Sequence, residues 1–206
     1  MSADQDGSGV RRLPVRQLTA DTFAPYGAII GPETVDSPHL NRAPGNLGYL
    51  WIQKPLEFPG QPYVGCVRYY HRATRCEFLQ KHPDSTIFLV PLTAQPSVVY
   101  VALDNGLDLP DLESARAFLL TGGRGLVLNR GTWIRYAYPL GPFADFAYIT
   151  QRVDPATANV SDDVVRCRLV DKFDLALDIE FEAPDGYEIG AGGAVVAGPP
   201  HQPPLE

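Results

Sequence analysis

The chain has 206 residues, 45% of them hydrophobic, and a formal net charge of −7; this suits one well-buried core and does not demand a second domain. The acidic balance argues against a nucleic-acid or anionic-membrane partner, because both require clustered positive charge. No apolar run approaches the roughly 18 residues that span a bilayer, and the polar start lacks the apolar core of a signal peptide. We therefore expect a soluble, cytoplasmic protein.

Glycine, proline and cysteine usage narrows the fold class. Twenty prolines and nineteen glycines favour many short strands joined by turns, so an all-β fold is predicted. Cys66, Cys76 and Cys167 are odd in number and form no CxxC pair. This pattern predicts free thiols rather than a disulfide framework or a thiolate metal site.

The first 27 residues are predicted to form a disordered segment, a strand and a short helix. Residues 1–12 are small, polar and charged, and are predicted to be a disordered lead. A strand is predicted over residues 13–18, and a one- or two-turn helix over residues 19–27 ends at Pro25 and Gly27.

The remaining strands are predicted from short apolar or alternating segments. They cover residues 28–30, 47–52, 63–70, 97–103, 132–138, 144–152 and 164–170. Residues 112–120 fit neither the helix nor the strand period cleanly, so both elements stay open there. The continuous apolar run at residues 97–103 indicates a strand covered on both faces. One domain is predicted over residues 13–170, and residues 171–206 form a partly irregular C-terminal extension.

Residues 80–92 have the spacing of a cupin's first metal-binding motif. That motif reads His-x-His-Pro, three further residues, and then Glu or Gln before an apolar strand. In this chain the three ligand positions hold Gln80, His82 and Ile87.

A second segment has the spacing of the other cupin motif, which is a glycine, a Pro-x-Gly turn and a ligand three residues later. Here Gly123 lies six residues before the turn Asn129-Arg130-Gly131, and Ile134 occupies the ligand position. The four metal positions therefore read Gln, His, Ile and Ile. Since a catalytic metal needs three or four convergent N or O donors, we expect no metal at these positions. No other cofactor is predicted.

Several segments together resemble the ureidoglycolate lyase family over roughly residues 13–152. They are residues 18–30, His82-Pro83, residues 88–92, 111–119 and 125–133, and Asp145-Phe146. The resemblance implies an all-β, cupin-like or jelly-roll β-barrel with a few short helices, and it favours a strand over residues 112–120. It also implies cleavage of ureidoglycolate to glyoxylate and urea without a redox cofactor.

The chain departs from this family at polar positions. The family's Glu is Gln80, its Gln is Ile87, and the two histidines after the family's Trp are Ile134 and Arg135. Of these polar groups only the histidine at position 82 is retained, so a single imidazole is left to transfer protons.

Strand alternation predicts which side chains share the site. Phe78 should face inward with Gln80 and His82, while Thr132, Tyr136 and Tyr138 should face inward with Ile134. The predicted catalytic residues are His82, Tyr136 and Tyr138. The predicted substrate-binding residues are Gln80, Arg68, Arg135, Ile87, Ile134 and Phe78. Further aromatic side chains are expected to enlarge the pocket: Tyr49, Trp51, Tyr69, Tyr70 and Phe146.

A separate metal site at His71, Glu77 and His82 is a weaker possibility. It would require residues 72–75 to form a hairpin turn, so that His71 and Glu77 face each other across it.

Three functions follow from these patterns. The first is a metal-free lyase acting on ureidoglycolate or a related small oxygenated acid. The second is a biosynthetic enzyme that catalyses cofactor-free cyclisation, isomerisation or elimination in an aromatic-lined barrel. The third is a non-catalytic cupin that binds a small molecule. A homodimer is also expected, with the strand near residues 13–18 as a pairing edge.

Overall fold

Two curled β-sheets face one another in a computed structural model of the protein. The structure describes residues 9–31, 40–42, 49–51, 54–121, 123–151, 164–180, 187–189 and 195–197. Strands dominate these residues, with two short helices between them. The predicted all-β, cupin-like fold class is confirmed.

The larger sheet has seven strands. In spatial order they are β13 (Val165–Arg168), β6 (Phe78–Lys81), β11 (Trp133–Pro139), β8 (Ser97–Asp104), β9 (Pro110–Leu120), β1 (Gly9–Gln17) and β14 (Leu175–Glu180). Strand β1 runs parallel to both of its neighbours, and the other pairs are antiparallel.

The smaller sheet has five antiparallel strands. In spatial order they are β2 (Gly27–Ile30), β10 (Gly125–Leu128), β7 (Ile87–Pro91), β12 (Phe143–Gln151) and β5 (Pro62–Tyr70). Two further antiparallel pairs join β3 (Leu40–Arg42) to β4 (Tyr49–Trp51), and β15 (Tyr187–Ile189) to β16 (Val195–Ala197).

The two helices are α1 (Ala20–Phe23) and α2 (Leu169–Phe173). Thr19 and Thr22 form a reciprocal capping box at the start of α1, with each hydroxyl accepting the other residue's backbone N–H. Phe23 is buried against the sheets, so the predicted short helix is confirmed. Neither helix in the described ranges is long and apolar enough to cross a membrane.

Two hydrophobic cores lie on opposite faces of the larger sheet. The inter-sheet core takes buried side chains from both sheets, including Ile87, Leu89, Val99, Ile134 and Phe146. The second core lies on the other face and includes Leu79, Val98, Tyr100, Trp133, Tyr138 and Leu177. Strand β8 supplies side chains to both cores, which explains its unbroken apolar sequence.

The larger sheet curls strongly enough to bring its two ends together. Cys76, just before β6, exchanges two backbone hydrogen bonds with Leu177 of β14, at 2.7 and 3.0 Å. Because β6 and β14 lie near opposite edges of the sheet, this bridge encloses the second core.

Three boundary expectations need correction. Residues 9–12 belong to β1 rather than to a disordered lead. Strand β1 lies between β9 and β14, so it is not a free edge for pairing with a second copy. Residues 171–180 belong to α2 and β14, because they cover the second core. Most of the extension beyond residue 180 lies outside the described residues, and the homodimer stays a prediction.

A substitution at Gly27 tests how closely β2 approaches β10. A Cβ at this position would lie 2.0 Å from the carbonyl oxygen of Val127 and 2.9 Å from the Cα of Leu128. These are backbone atoms that cannot rotate away, so Gly27→Ala is expected to reduce the free energy of unfolding by about 2 kcal/mol or more. Urea unfolding monitored by circular dichroism measures the change.

Gly9→Ala is the matched control, because its Cβ would meet Leu175 at an ordinary 3.6 Å. It should leave the free energy of unfolding within about 0.5 kcal/mol of that of the original protein. Equal stability for both variants would contradict the observed β2–β10 spacing.

Candidate active site

His82 and Tyr136 meet at the inter-sheet core. His82 directly follows β6 and is 5% exposed, and its carbonyl accepts the backbone N–H of Gly131 at 2.8 Å. On β11, the Tyr136 hydroxyl lies 3.3 Å from Nε2 of His82, which is within hydrogen-bond distance. The structure therefore brings two of the three predicted catalytic side chains together.

The Tyr136 phenol is held in its protonated form. Burial raises its pKa above the ordinary value, and the electrostatic effect of Tyr69 adds to this, against a lowering hydrogen bond from Gln80. A phenol with a raised pKa keeps its proton at neutral pH. Tyr136 can therefore donate a hydrogen bond to His82 while remaining a neutral phenol.

Gln80, Ile87 and Ile134 are buried beside this pair. Gln80 lies directly opposite Ile134 in the β6–β11 register, and residues opposite one another share a face of the sheet. Hydrocarbon thus occupies two of the four cupin ligand positions. Within the described ranges, no three His, Cys, Asp or Glu side chains gather closely enough to hold a metal ion.

Aromatic rings form one wall of the site. Tyr69 of β5 stacks on Tyr136, with ring centroids 6.2 Å apart and planes 13° apart, and Phe146 meets Tyr69 edge to face at 5.9 Å. Burial raises the pKa of Tyr69 to about 12. The expected contribution of Tyr69 and Phe146 is observed.

The other expected aromatic residues do not join this wall. Tyr70 is 66% exposed, and the side chains of Tyr49 and Trp51 lie outside the described residues. Tyr148, which the sequence analysis missed, packs against the inter-sheet core. Its spacing of two residues from Phe146 on one strand was a signal that could have identified it.

Tyr138 does not face the site, so the predicted alternation is wrong there. The β11–β8 register shifts between Arg135 and Tyr138, and both Tyr136 and Ala137 pack on the inter-sheet core. The shift returns Tyr138 to the second core, where its ring meets Tyr100 edge to face at 5.4 Å. A β-bulge of this kind reverses the strand's inward and outward faces.

Arg68 also points away from the site. Its neighbours Val67 and Tyr69 pack on the inter-sheet core, so alternation turns Arg68 to the outer face. There it donates to both carboxylate oxygens of Asp145, at 2.7 and 2.8 Å. Arg68, predicted to bind a substrate carboxylate, is therefore already paired with the carboxylate of Asp145 on β12.

Arg135 and Phe78 contact each other. The guanidinium carbon of Arg135 lies 3.8 Å from the centroid of the Phe78 ring, and both residues are half-buried. Arg72 lies nearby and was not predicted. It donates to the backbone carbonyls of Tyr136 and Ala137 at 3.3 and 3.1 Å. No local pattern marks Arg72, because its position depends on the crossover between sheets.

The proposed hairpin at residues 72–75 is not formed. Strand β5 lies in the smaller sheet and β6 in the larger one, so the segment between them crosses from sheet to sheet. Nδ1 of His71 lies 2.9 Å from the carbonyl oxygen of Pro139, and the Glu77 carboxylate accepts from Arg75. His71 and Glu77 therefore do not form the suggested metal site.

A polar cleft of about 490 Å³ lies beside the loop that follows His82. Its lining residues are Lys54, Glu57, Pro83, Asp84, Thr86, Asn129 and Arg130. Lys54 donates to Asn129, and Arg130 pairs with Glu57 at 3.0 Å. The turn residues Asn129 and Arg130 thus help to shape the surface next to the site.

The model of the family described as "Ureidoglycolate lyase" matches residues 10–170. The chain belongs to the ureidoglycolate lyase family. A ureidoglycolate lyase from Burkholderia mallei (strain NCTC 10229) is 28% identical over 158 residues, which cover 73% of this chain and 88% of that protein. One from Pseudomonas syringae pv. syringae (strain B728a) is 29% identical over 130 residues, covering 60% and 74%.

Similar solved structures include two sugar-nucleotide epimerases. The dTDP-4-dehydrorhamnose 3,5-epimerase of Elizabethkingia anophelis NUHP1 has a TM-score of 0.40 and 14% identity, with 78% of this chain and 88% of that chain covered. The dTDP-6-deoxy-D-glucose-3,5-epimerase of Legionella pneumophila Philadelphia 1 has a TM-score of 0.36 and 17% identity, covering 62% and 68%.

Membership of the ureidoglycolate lyase family makes the chain an enzyme of the lyase class. This removes the alternative of a non-catalytic binding protein. The match extends beyond the predicted similarity, from residue 10 through β13 and into α2.

Gly65 controls the position of Tyr148 in the aromatic wall. A Cβ on Gly65 would lie 2.6 to 2.7 Å from Cζ, Cε1 and the hydroxyl oxygen of Tyr148. These atoms end a movable side chain, so Gly65→Ala should displace the ring at a cost of about 1 kcal/mol in stability. We expect an altered near-ultraviolet circular dichroism spectrum and a changed KM.

A double-mutant cycle with Tyr148→Ala provides the control. Once the ring is removed, adding Gly65→Ala should have no further effect on KM. Additive effects of the two substitutions would show that Gly65 does not act through Tyr148.

Proposed function

We propose that this protein is a metal-independent lyase that cleaves ureidoglycolate to glyoxylate and urea. The 3.3 Å approach of the Tyr136 hydroxyl to Nε2 of His82 carries the proposal. It joins a proton donor and a proton acceptor in a buried site with an aromatic wall. Family membership supports the choice of substrate.

The proposed reaction begins with removal of the substrate's hydroxyl proton. Tyr136 accepts this proton as it passes its own phenol proton to Nε2 of His82, so no free tyrosinate forms. The electron pair of the O–H bond becomes the carbonyl bond of glyoxylate, and the carbon–nitrogen bond breaks. The same relay returns one proton to the departing urea nitrogen, which balances the reaction and regenerates both side chains.

Gln80 is proposed to bind the ureido group. Its amide offers both a donor and an acceptor, which suits a group that contains N–H and C=O. Gln80 is buried and lies close enough to Tyr136 to affect the phenol's pKa. This supports a position beside the proton relay.

Substitution of either relay residue tests the mechanism. His82→Ala and Tyr136→Phe should each reduce kcat by about 10²- to 10⁴-fold, because both break the same proton path. The measurement is glyoxylate formation by purified protein, corrected for the spontaneous rate. Similar losses in the two variants are the signature of a relay.

Tyr70→Phe is the matched control, since Tyr70 is exposed and its hydroxyl takes no part in the proposed relay. This variant should retain the original kcat. Formation of glyoxylate at only the spontaneous rate by the unaltered protein would reject ureidoglycolate as the substrate.

A second candidate is a lyase, cyclase or isomerase acting on a larger apolar substrate. The buried hydrocarbon of Ile87 and Ile134, beside the aromatic wall, favours this reading. Both candidates use the same relay, so His82→Ala should abolish either activity. Turnover of ureidoglycolate distinguishes them.

Metal independence is proposed from the donor set. Ile87 and Ile134 offer no lone pairs, and Gln80 and His82 supply at most two ligands, too few to fix a catalytic metal. Elemental analysis should therefore find no stoichiometric transition metal, and EDTA should leave the lyase rate unchanged. About one Fe, Mn, Ni or Zn per chain, lost on His82→Ala, would overturn this proposal.

A further inference from the structure

Arg72 and Arg135 differ from the other arginines in the described part of the chain. Both are half-buried, and each has an Nε atom that is shielded from solvent and has no hydrogen-bond partner. No described carboxylate pairs with either one. Ion pairs do occupy five other arginines: Arg11, Arg68, Arg75, Arg130 and Arg168.

The two guanidinium groups lie around one aromatic patch. That of Arg72 lies 4.1 Å from the Tyr138 ring centroid and 5.8 Å from that of Tyr69. That of Arg135 covers Phe78 at 3.8 Å. Both positive charges lower the pKa values of Tyr69 and Tyr138, although burial raises each of them to about 12. The two cations therefore act on the same small region.

This region adjoins the proton relay. Arg72 donates to the backbone carbonyl of Tyr136, and the Tyr136 hydroxyl reaches His82. Tyr69 stacks on Tyr136 and also contacts Arg72. One tyrosine side chain thus separates Arg72 from the imidazole.

Two partly desolvated cations in one region repel each other and lose hydration. An anion bound between them would offset both costs. A guanidinium presents its N–H donors in one plane as a rigid fork, to which a carboxylate can bind through two hydrogen bonds. The geometry therefore favours a planar two-oxygen anion.

We infer that Arg72 and Arg135 bind the carboxylate of the substrate and hold the reacting carbon near Tyr136 and His82. The identity of the anion as ureidoglycolate rests on the function proposed above, but the carboxylate site can be tested without turnover. Arg72 also stabilises the β11 bulge through its two carbonyl contacts. Arg135 makes no such backbone contact in the described residues, so it is the cleaner position to change.

Oxalurate is a suitable probe, because a carbonyl replaces the CH(OH) group of ureidoglycolate and the elimination cannot occur. Oxaluramide, its neutral amide, has nearly the same shape without the carboxylate charge. The dissociation constants of both compounds are measured by isothermal titration calorimetry with the unaltered protein, Arg135→Gln, Arg135→Lys and Arg72→Lys. Arg68→Gln, an arginine on the outer face of β5, is the matched control.

The unaltered protein should bind oxalurate at least about tenfold more tightly than oxaluramide, as expected for charge-assisted hydrogen bonds. Arg135→Gln should weaken oxalurate binding about tenfold or more and leave oxaluramide binding unchanged. Each Lys variant retains the charge and loses the two-pronged donor, so an intermediate loss is expected. Arg68→Gln should bind both compounds normally.

Equal binding of oxalurate by Arg135→Gln and the unaltered protein would overturn the inference, as would failure of the unaltered protein to prefer oxalurate. An equal loss for both compounds would indicate a structural role for Arg135 and would also overturn it. If Arg135→Gln does not fold, Arg135→Lys decides by the same comparison. Selective oxalurate binding without glyoxylate production would retain the carboxylate site and reject the proposed reaction alone.

Discussion

The register shift in β11 is the constraint on which the site depends. Before it, Ile134 pairs opposite Gln80 and faces the smaller sheet. After it, Tyr138 faces the second core, while Tyr136 remains on the side of His82. Arg72 donates to the carbonyls of Tyr136 and Ala137 inside the shifted segment. The same arginine therefore stabilises the irregular backbone and lies beside the aromatic wall.

Lys81 of β6 and Arg135 of β11 differ in how their positive charges are balanced. Lys81 faces the second core, where Asp104 and Asp108 pair with its ammonium group and its charge lies over the Trp133 ring at 5.0 Å. Trp133 in turn donates to Asp104 at 2.9 Å. This charge is compensated within the fold. Arg135, in contrast, has no described carboxylate partner, which is the arrangement expected where a ligand supplies the missing charge.

In the proposed reaction, the imidazole of His82 takes up the substrate's proton and also returns it. In ureidoglycolate the hydroxyl group and the ureido nitrogen are bonded to the same carbon, so one proton path can serve both groups. The raised pKa of Tyr136 suits a relay that never accumulates a tyrosinate. The hydrocarbon of Ile87 and Ile134 lowers the local polarity, and electrostatic contacts to the substrate are stronger there than in water.

The sequence alone determined the fold class, the family, most strands and the burial of His82, Gln80 and Ile134. These follow from local periodicity and motif spacing, which are properties of neighbouring residues. The sequence could not determine which core Tyr138 faces. A one-residue register shift reverses the faces of a strand, and no residue type in the sequence marks it. The sequence predicted Arg68 as a substrate-binding residue and did not identify Arg72, for a related reason. Strand pairing with Asp145 and a crossover between sheets decided where each charge lies, and both depend on residues far away in the chain.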